Sequence, residues 1–237
     1  MKQKIIHEAM QPYLDGKVIL IDKPLHWTSF DAVKKVRIAT QVAKVGHAGT
    51  LDPLATGLLI ICTGKFTKKI TEYMGMQKVY TGSFILGAST PTYDLESEPT
   101  NIKPYENITE EKINETVKLF TGEIMQMPPI HSAIKKGGEK AYVLARKGID
   151  IKLSPRPVTI FSFEILSVKL PVIDFKVTCS TGTYIRSLAH DVGQALGTGA
   201  YLSKLRRTRI GEFSVDDAMS PNAFETFTTE LKKASEG

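Results

Sequence analysis

The sequence predicts an α+β fold, a mixed and mainly antiparallel central sheet flanked by helices and loops. Strand-like and helix-like segments alternate irregularly, without the βαβ rhythm of a doubly wound sheet. Neighbouring strand patterns also fall into hairpin-like pairs. No internal repeat, low-complexity tract or linker divides the 237 residues, so one domain covering 1–237 is the simplest organisation.

Each element follows from local pattern. Residues 17–22 (KVILID) read as a buried strand, stopped by Lys23-Pro24. Ser29 is placed to cap a helix running to about Gln41, with Phe30, Val33, Val36 and Ile38 on its apolar side. The glycine-rich stretch GHAGTLDPLATG at 46–57 feeds the apolar strand LLIIC at 58–62. Residues 78–86 (KVYTGSFIL) have strand composition. The stretch 87–105 is turn-rich, after which Thr109 caps a helix to about Phe120. Pro128-Pro129 and Gly137-Gly138 mark an excursion from the core rather than a core element. Residues 156–170 and 174–180 read as a strand hairpin. From Thr183 the period becomes helical, with Ile185, Leu188, Ala189, Val192 and Leu196 on one face. A terminal helix covers about 221–233.

Composition narrows the class. At 42% hydrophobic and 24% charged residues the chain has an ordinary soluble composition. No apolar run approaches the ~20 residues a membrane helix needs, and the N-terminus lacks the apolar segment of a secretory signal. Cys62 and Cys179 each sit inside an apolar strand-like run and read as buried, reduced thiols, consistent with a cytoplasmic location. The net charge is +6, from 31 basic and 25 acidic residues. The excess is clustered. Lys135, Lys136, Lys140, Arg146, Lys147, Lys152 and Arg156 form one group, and Lys204, Arg206, Arg207 and Arg209 another. With Tyr142, Tyr184 and Tyr201 nearby, the two clusters point toward a nucleic-acid surface.

Several familiar chemistries fail on spacing. Gly64-Lys65 resembles the end of a phosphate-binding loop, but Leu59 stands where its first glycine should be and Phe66 follows the lysine. Neither HExxH nor CxxC occurs, and His7, His26, His47, His131 and His190 show no metal-ligand spacing. Ser180 lacks the flanking glycines of a nucleophile elbow. What remains is Asp52 within 46–57. An Asp before Pro is also an ordinary turn or helix start, with the carboxylate capping and Pro53 in the first turn. Gly46, Gly49 and Gly57 would let backbone approach a bulky ligand closely. Spacing alone leaves both readings open.

The motif GHAGTLDPLATG resembles the catalytic motif of the bacterial tRNA pseudouridine-55 synthases, the TruB type, and the likeness extends along nearly the whole chain. DKPLHWTS at 22–29 is similar to the family's N-terminal element. Lys78-Val-Tyr80, Leu86-Gly87 and TPTYD at 90–94 are similar to its strand and turn. QMPPIHSA at 126–133, with Lys135, Gly138, Tyr142, Ala145 and Arg146, resembles an RNA-gripping insertion, placed at about 126–152. CSTGTYIRSL at 179–188 resembles the GTYIRSL motif, and Leu205-Arg-Arg207 the closing LRR.

The resemblance implies a tRNA pseudouridine synthase that isomerises the T-loop uridine, position 55 of tRNA, by base flipping. It implies Asp52 as the catalytic carboxylate, Tyr80 as the aromatic that stacks on the flipped uracil and helps remove its C5 proton, and Arg186 as the partner of the aspartate. His47 then contacts the target nucleotide, and Tyr184 and Leu205 line the pocket around the base. No metal and no organic cofactor are implied. The partner is the tRNA T-arm stem-loop; no membrane is involved, and the protein is expected to be a monomer. Departures are His26 for a usual Gly, Gly82 for a usual Ala and His131 for a common Tyr. Many members continue into a C-terminal RNA-binding PUA domain, for which no room is expected after about Ala218. Relatives that depend on a guide RNA generally carry that domain, so no guide RNA is expected here.

Overall fold

The computed structural model describes residues 7–130, 132, 135–136, 139–140 and 153–236. In chain order the elements are α1 (Gln11–Asp15), β1 (Val18–Lys23), α2 (Ser29–Thr40), β2 (Val45–Ala48), β3 (Ala55–Thr63), α3 (Ile70–Gly75) and β4 (Lys78–Leu86). They continue with α4 (Glu110–Lys118), β5 (Gly122–Gln126), β6 (Lys135–Lys136), β7 (Glu139–Lys140), β8 (Arg156–Lys169) and β9 (Val172–Cys179). The last are α5 (Ile185–Ala195), β10 (Ala200–Ile210), β11 (Phe213–Ser214) and α6 (Pro221–Ala234). The fold is α+β, and the strand pairs β1–β3, β2–β3, β5–β8, β6–β7, β8–β9 and β10–β11 are all antiparallel. Two compact units emerge, Met1–Val79 with Arg206–Gly237, and Tyr80–Leu205.

In the first unit, β1 and β2 both pair with β3, with Asp22 opposite Leu58 and Ala48 opposite Ile60. The uninterrupted apolar run of β3 reflects cover on both faces. Leu59 and Ile61 pack with Ile19 and Ile21 of β1, Val33 and Val36 of α2, and Phe224 of α6. Leu58, Ile60 and Cys62 pack on the other side with Ala48, Tyr73 and Ile210. A strand buried on both faces loses the alternation that marks a half-exposed one.

Helix α2 differs from expectation in two ways. Its cap is Thr28, whose hydroxyl accepts from the Asp31 amide at 3.1 Å while the Asp31 carboxylate accepts from the Thr28 amide at 2.8 Å. This reciprocal pairing satisfies two amides that would otherwise lack partners, and it leaves Ser29 buried for another task. Phe30 and Ile38 are both 60% exposed; the buried face is Ala32, Val33, Val36 and Ala39. Small residues at helical spacing form that face, and Phe30 stays outside with the Arg37 guanidinium 5.9 Å from its ring centre.

In the second unit the strand order is β10, β4, β9, β8, β5. The expected hairpin is β8 with β9, in register from Ile160 opposite Cys179 to Lys169 opposite Val172, with shifts between Ile160 and Ser162 and between Ile165 and Ser167. β5 pairs with the start of β8, Gln126 opposite Arg156. Thr109 caps α4 as expected, accepting from Lys112 at 3.2 Å. Cys62 and Cys179 are buried and in no disulfide. β10 was not expected as a strand. Its basic residues read as a surface cluster, although Ala200, Tyr201, Leu202, Arg207 and Ile210 are buried.

Gly57 makes a close backbone approach in the first unit. Its φ is +104°, and a Cβ there would lie 2.3 Å from the Arg207 carbonyl oxygen. Gly57→Ala is therefore expected to destabilise the protein by roughly 2–4 kcal/mol, from backbone strain and overpacking together. A urea midpoint unchanged from the parent chain would show that this approach is looser than described.

Candidate active site

Asp52 lies on the connection between β2 and β3, and its neighbours are fixed by backbone contacts on several sides. The Leu51 amide donates to the Ser29 hydroxyl at 2.9 Å, and that hydroxyl donates back to the Leu51 carbonyl at 3.2 Å. The His26 amide donates to the Pro53 carbonyl at 2.8 Å. The Ala55 amide closes a turn on the Asp52 carbonyl at 3.0 Å. No helix follows Pro53; β3 begins at Ala55, so Asp52 opens a turn and does not start a helix. Leu51 is 4% exposed and anchors the loop, leaving Asp52 half-buried on a rigid support.

Two buried cations share this region of the first unit. Lys23, fully buried, donates from Nζ to the carbonyls of Trp27 at 2.6 Å and Pro24 at 3.0 Å. Burial pushes its pKa down to about 8; the Asp52 carboxylate pulls it upward, while the Arg207 charge lowers it further. Arg207 donates from Nε to the Leu58 carbonyl at 2.8 Å and from Nη2 to the Gly49 carbonyl at 3.1 Å. A buried guanidinium is tolerated only when its donors are matched in this way, and the bond to Gly49 ties it to the Asp52 loop. His47 sits in β2 opposite Ile61. Burial first, then the Arg207 charge, lowers its pKa, so its ring is neutral at neutral pH. Its Nδ1 is buried and makes no well-formed hydrogen bond among the described residues, the Gly49 backbone offering only a weak pull toward protonation.

In the second unit, Arg186 occupies the first turn of α5 and is 6% exposed. Its Nη1 donates to the Thr92 carbonyl at 3.2 Å, and its Nε lies 3.6 Å from the Asp94 carboxylate. Asp94 is itself fixed, accepting from the Glu96 amide at 3.0 Å, while the Thr90 hydroxyl donates to its carbonyl at 2.8 Å. Just before α5, the Gln126 side chain grips the Tyr184 backbone through both ends of its amide. The Tyr184 amide donates to Oε1 at 2.8 Å, and Nε2 donates to the Tyr184 carbonyl at 3.1 Å. The Ser187 hydroxyl donates to the Met127 carbonyl at 2.8 Å, fastening the start of the expected insertion to the same helix. Tyr80 is 8% exposed in β4, and Leu205 is half-buried in β10.

Among the residues expected from the sequence, the first unit thus carries Asp52 and His47, and the second carries Tyr80, Tyr184, Arg186 and Leu205. Ser29, Arg207 and Gln126 had no assigned part in the site, because each acts there through backbone contacts remote in sequence; Lys23, held by the nearby Pro24 and Trp27 carbonyls, had none either. The basic group at 204–209 needs correction. Arg207 is buried, and Arg206 makes a two-pronged pair with Asp22 at 3.0 and 2.8 Å. Only Lys204 and Arg209 remain as exposed charges there. Tyr201, expected near a nucleic-acid surface, is buried. His131, Tyr142, Ala145, Arg146, Lys147 and Lys152 lie outside the described residues, as do the side chains of Lys135, Lys136 and Lys140.

Among the described residues, no group of His, Cys, Asp and Glu could hold a metal ion, and no helix is long and apolar enough to cross a membrane. A carboxylate held rigidly near matched cations and a neutral imidazole is suited to act as nucleophile or base without a metal.

Residues 37–185 match the family model of the TruB family pseudouridylate synthase N-terminal domain, and residues 186–235 that of the tRNA pseudouridylate synthase B C-terminal domain. A Flavobacterium johnsoniae protein named tRNA pseudouridine synthase B is 55% identical over 222 residues, 91% of this chain and 97% of the relative. A Parabacteroides distasonis protein of the same name is 48% identical, over 91% of this chain and 94% of the relative. Among solved structures, a chain of a Cbf5-Nop10-Gar1 complex superposes with a TM-score of 0.74 at 29% identity, over 96% of this chain. A chain from an H/ACA RNP bound to a substrate RNA containing 2'-deoxyuridine gives 0.70 at 26% identity, over 99% of this chain. This chain spans only 58% and 62% of those two chains.

Proposed function

The chain belongs to the TruB family of pseudouridylate synthases, isomerases of uridine in tRNA, and from that premise we propose that its target is the T-loop uridine at position 55. The reaction breaks the glycosidic bond between the ribose anomeric carbon and uracil N1. The same carbon joins C5 of the same uracil, C5 releases its proton, and N1 gains one. Atoms and electrons balance with no oxidant, metal or organic cofactor. The base must leave its stack to be reached, at a cost of a few kcal/mol met by aromatic and polar contacts in the pocket.

In this reading Asp52 is the catalytic carboxylate, acting as nucleophile or base. Tyr80 stacks on the uracil and helps remove the C5 proton. Arg186 supplies the positive charge that keeps the reacting carboxylate ionised in a dry pocket. The neutral His47 ring, with Nδ1 lacking a good partner among the described residues, offers a polar contact to the target nucleotide. Tyr184 and Leu205 line the pocket. The carrying observation is the relative 55% identical over 97% of its length, whose name specifies this reaction on tRNA. In the same proposal the chain acts on the T-arm as a cytoplasmic monomer without a guide RNA. Incubating the purified chain alone with an unmodified T-arm stem-loop should yield pseudouridine by nucleoside mass spectrometry. An unchanged uridine content would overturn the proposal.

Backbone grip belongs, in the same reading, to the insertion at about 126–152, since Arg206 and Arg207, half of the 204–209 cluster, have internal partners. Replacing Lys135, Lys136, Lys140, Arg146 and Lys147 with Ala should weaken binding to diverse RNAs alike. Every side chain that neutralises a phosphate should, on removal, flatten the log–log salt slope by about 0.7–0.9. An unchanged affinity and slope would make this group an ordinary solvated surface.

A further inference from the structure

The segment Thr92–Asp94 touches Arg186 through its first and last residues, and its middle residue has a separate attachment. The Tyr93 ring stacks on His190, with centroids 3.9 Å apart and planes 19° from parallel. Arg186 and His190 are four residues apart on α5 and so lie on one face, one turn after the other. Consecutive loop residues thus grip consecutive turns of the helix. Thr92 accepts from Arg186 Nη1, Tyr93 covers His190, and Asp94 returns to Arg186 Nε.

Tyr93 holds this position with a φ of +65°, a conformation that a bulky residue adopts only when its surroundings impose it. Its amide donates to the Thr90 carbonyl at 3.1 Å, and its carbonyl accepts from the Leu202 amide at 2.9 Å. Both rings are uncharged near neutral pH, since burial lowers the His190 pKa and raises that of Tyr93, with Asp191 adding to the latter. His190 Nδ1 is buried without a hydrogen-bond partner among the described residues, so the ring acts here through its face.

We propose that the Tyr93–His190 stack is a positioning latch for Arg186. It locks the Thr92–Asp94 segment in register on α5, so that the guanidinium is held at one angle during turnover. Tyr93 and His190 touch no reacting atom and are positioning residues. The inference rests on the catalytic part given above to Arg186, and it is tested so that the two can fail separately.

The experiment measures single-turnover rate and dissociation constant for an unmodified T-arm stem-loop, with thermal midpoints to confirm folding. Tyr93→Gly, which relieves the positive φ but deletes the ring, and His190→Leu should each slow the reaction by about tenfold or more, because small misplacements of catalytic groups are costly. Affinity should stay within about threefold. Tyr93→Phe and His190→Phe keep the stack and should remain within about threefold of the parent rate. Parent-like rates for Tyr93→Gly and His190→Leu would overturn the latch. So would a His190→Phe variant as slow as His190→Leu, or rates that merely fall in step with affinity and folded fraction. Arg186→Met is the control. If it is inactive while the latch variants are normal, only the latch fails. If it turns over normally, the part assigned to Arg186 fails and the latch with it.

Discussion

Asp52→Asn is expected to slow turnover by at least about a thousandfold, equivalent to ~4 kcal/mol of transition-state stabilisation, while leaving T-arm affinity within about threefold. The substitution removes one charge at nearly constant shape. The contacts that fix the loop run through the neighbours, Ser29 with Leu51, His26 with Pro53 and Arg207 with Gly49, and none of these uses the carboxylate. The variant should therefore fold and present the same surface to RNA. A rate within tenfold of the parent would remove Asp52 from the centre of the mechanism, because a catalytic carboxylate supplies far more than ~1.4 kcal/mol.

Tyr80 separates stacking from proton transfer. Tyr80→Phe keeps the aromatic face and deletes only the hydroxyl, so binding should persist while most activity disappears. Tyr80→Leu should lose both, since stacking on an aromatic contributes roughly 1–3 kcal/mol per base. The residue is 8% exposed in β4, and the Phe variant should fold normally. Single-turnover rates and stem-loop affinities for the two variants make the comparison. Normal turnover by the Phe variant would confine Tyr80 to stacking.

Most of the fold was legible because it follows local rules. The apolar run that became β3, the β8–β9 hairpin pattern and Thr109 at the head of α4 each carry a short-range signal. Failures occurred where long-range contacts override local pattern. Phe30 and Ile38 looked like core residues, yet α2 buries a face of smaller side chains, and both remain exposed. Arg207 looked like surface charge, yet the carbonyls of Leu58 and Gly49 satisfy it inside the first unit. Ser29 looked like a helix cap, but Thr28 takes that part and frees Ser29 to hold Leu51.

The candidate site was legible in a different way. Glycine density around Asp52 suggested close approach to a ligand but did not exclude a plain turn. The parts assigned to Asp52, Tyr80 and Arg186 came from resemblance to a family. What no motif announced was the support: Lys23 near Asp52, Gln126 on the Tyr184 backbone, and Tyr93 against His190. Such residues act by geometry that only the folded chain creates.

The most direct test of the central claim uses a T-arm stem-loop carrying tritium at C5 of its uridines. Joining the ribose to C5 expels that atom to water, so each pseudouridine formed releases one tritium. The purified chain, without guide RNA or partner protein, should release one equivalent per stem-loop, all from the position-55 uridine, and Asp52→Asn should release none on the same timescale. Release from another uridine, no release by the parent chain, or equal release by Asp52→Asn would contradict the account.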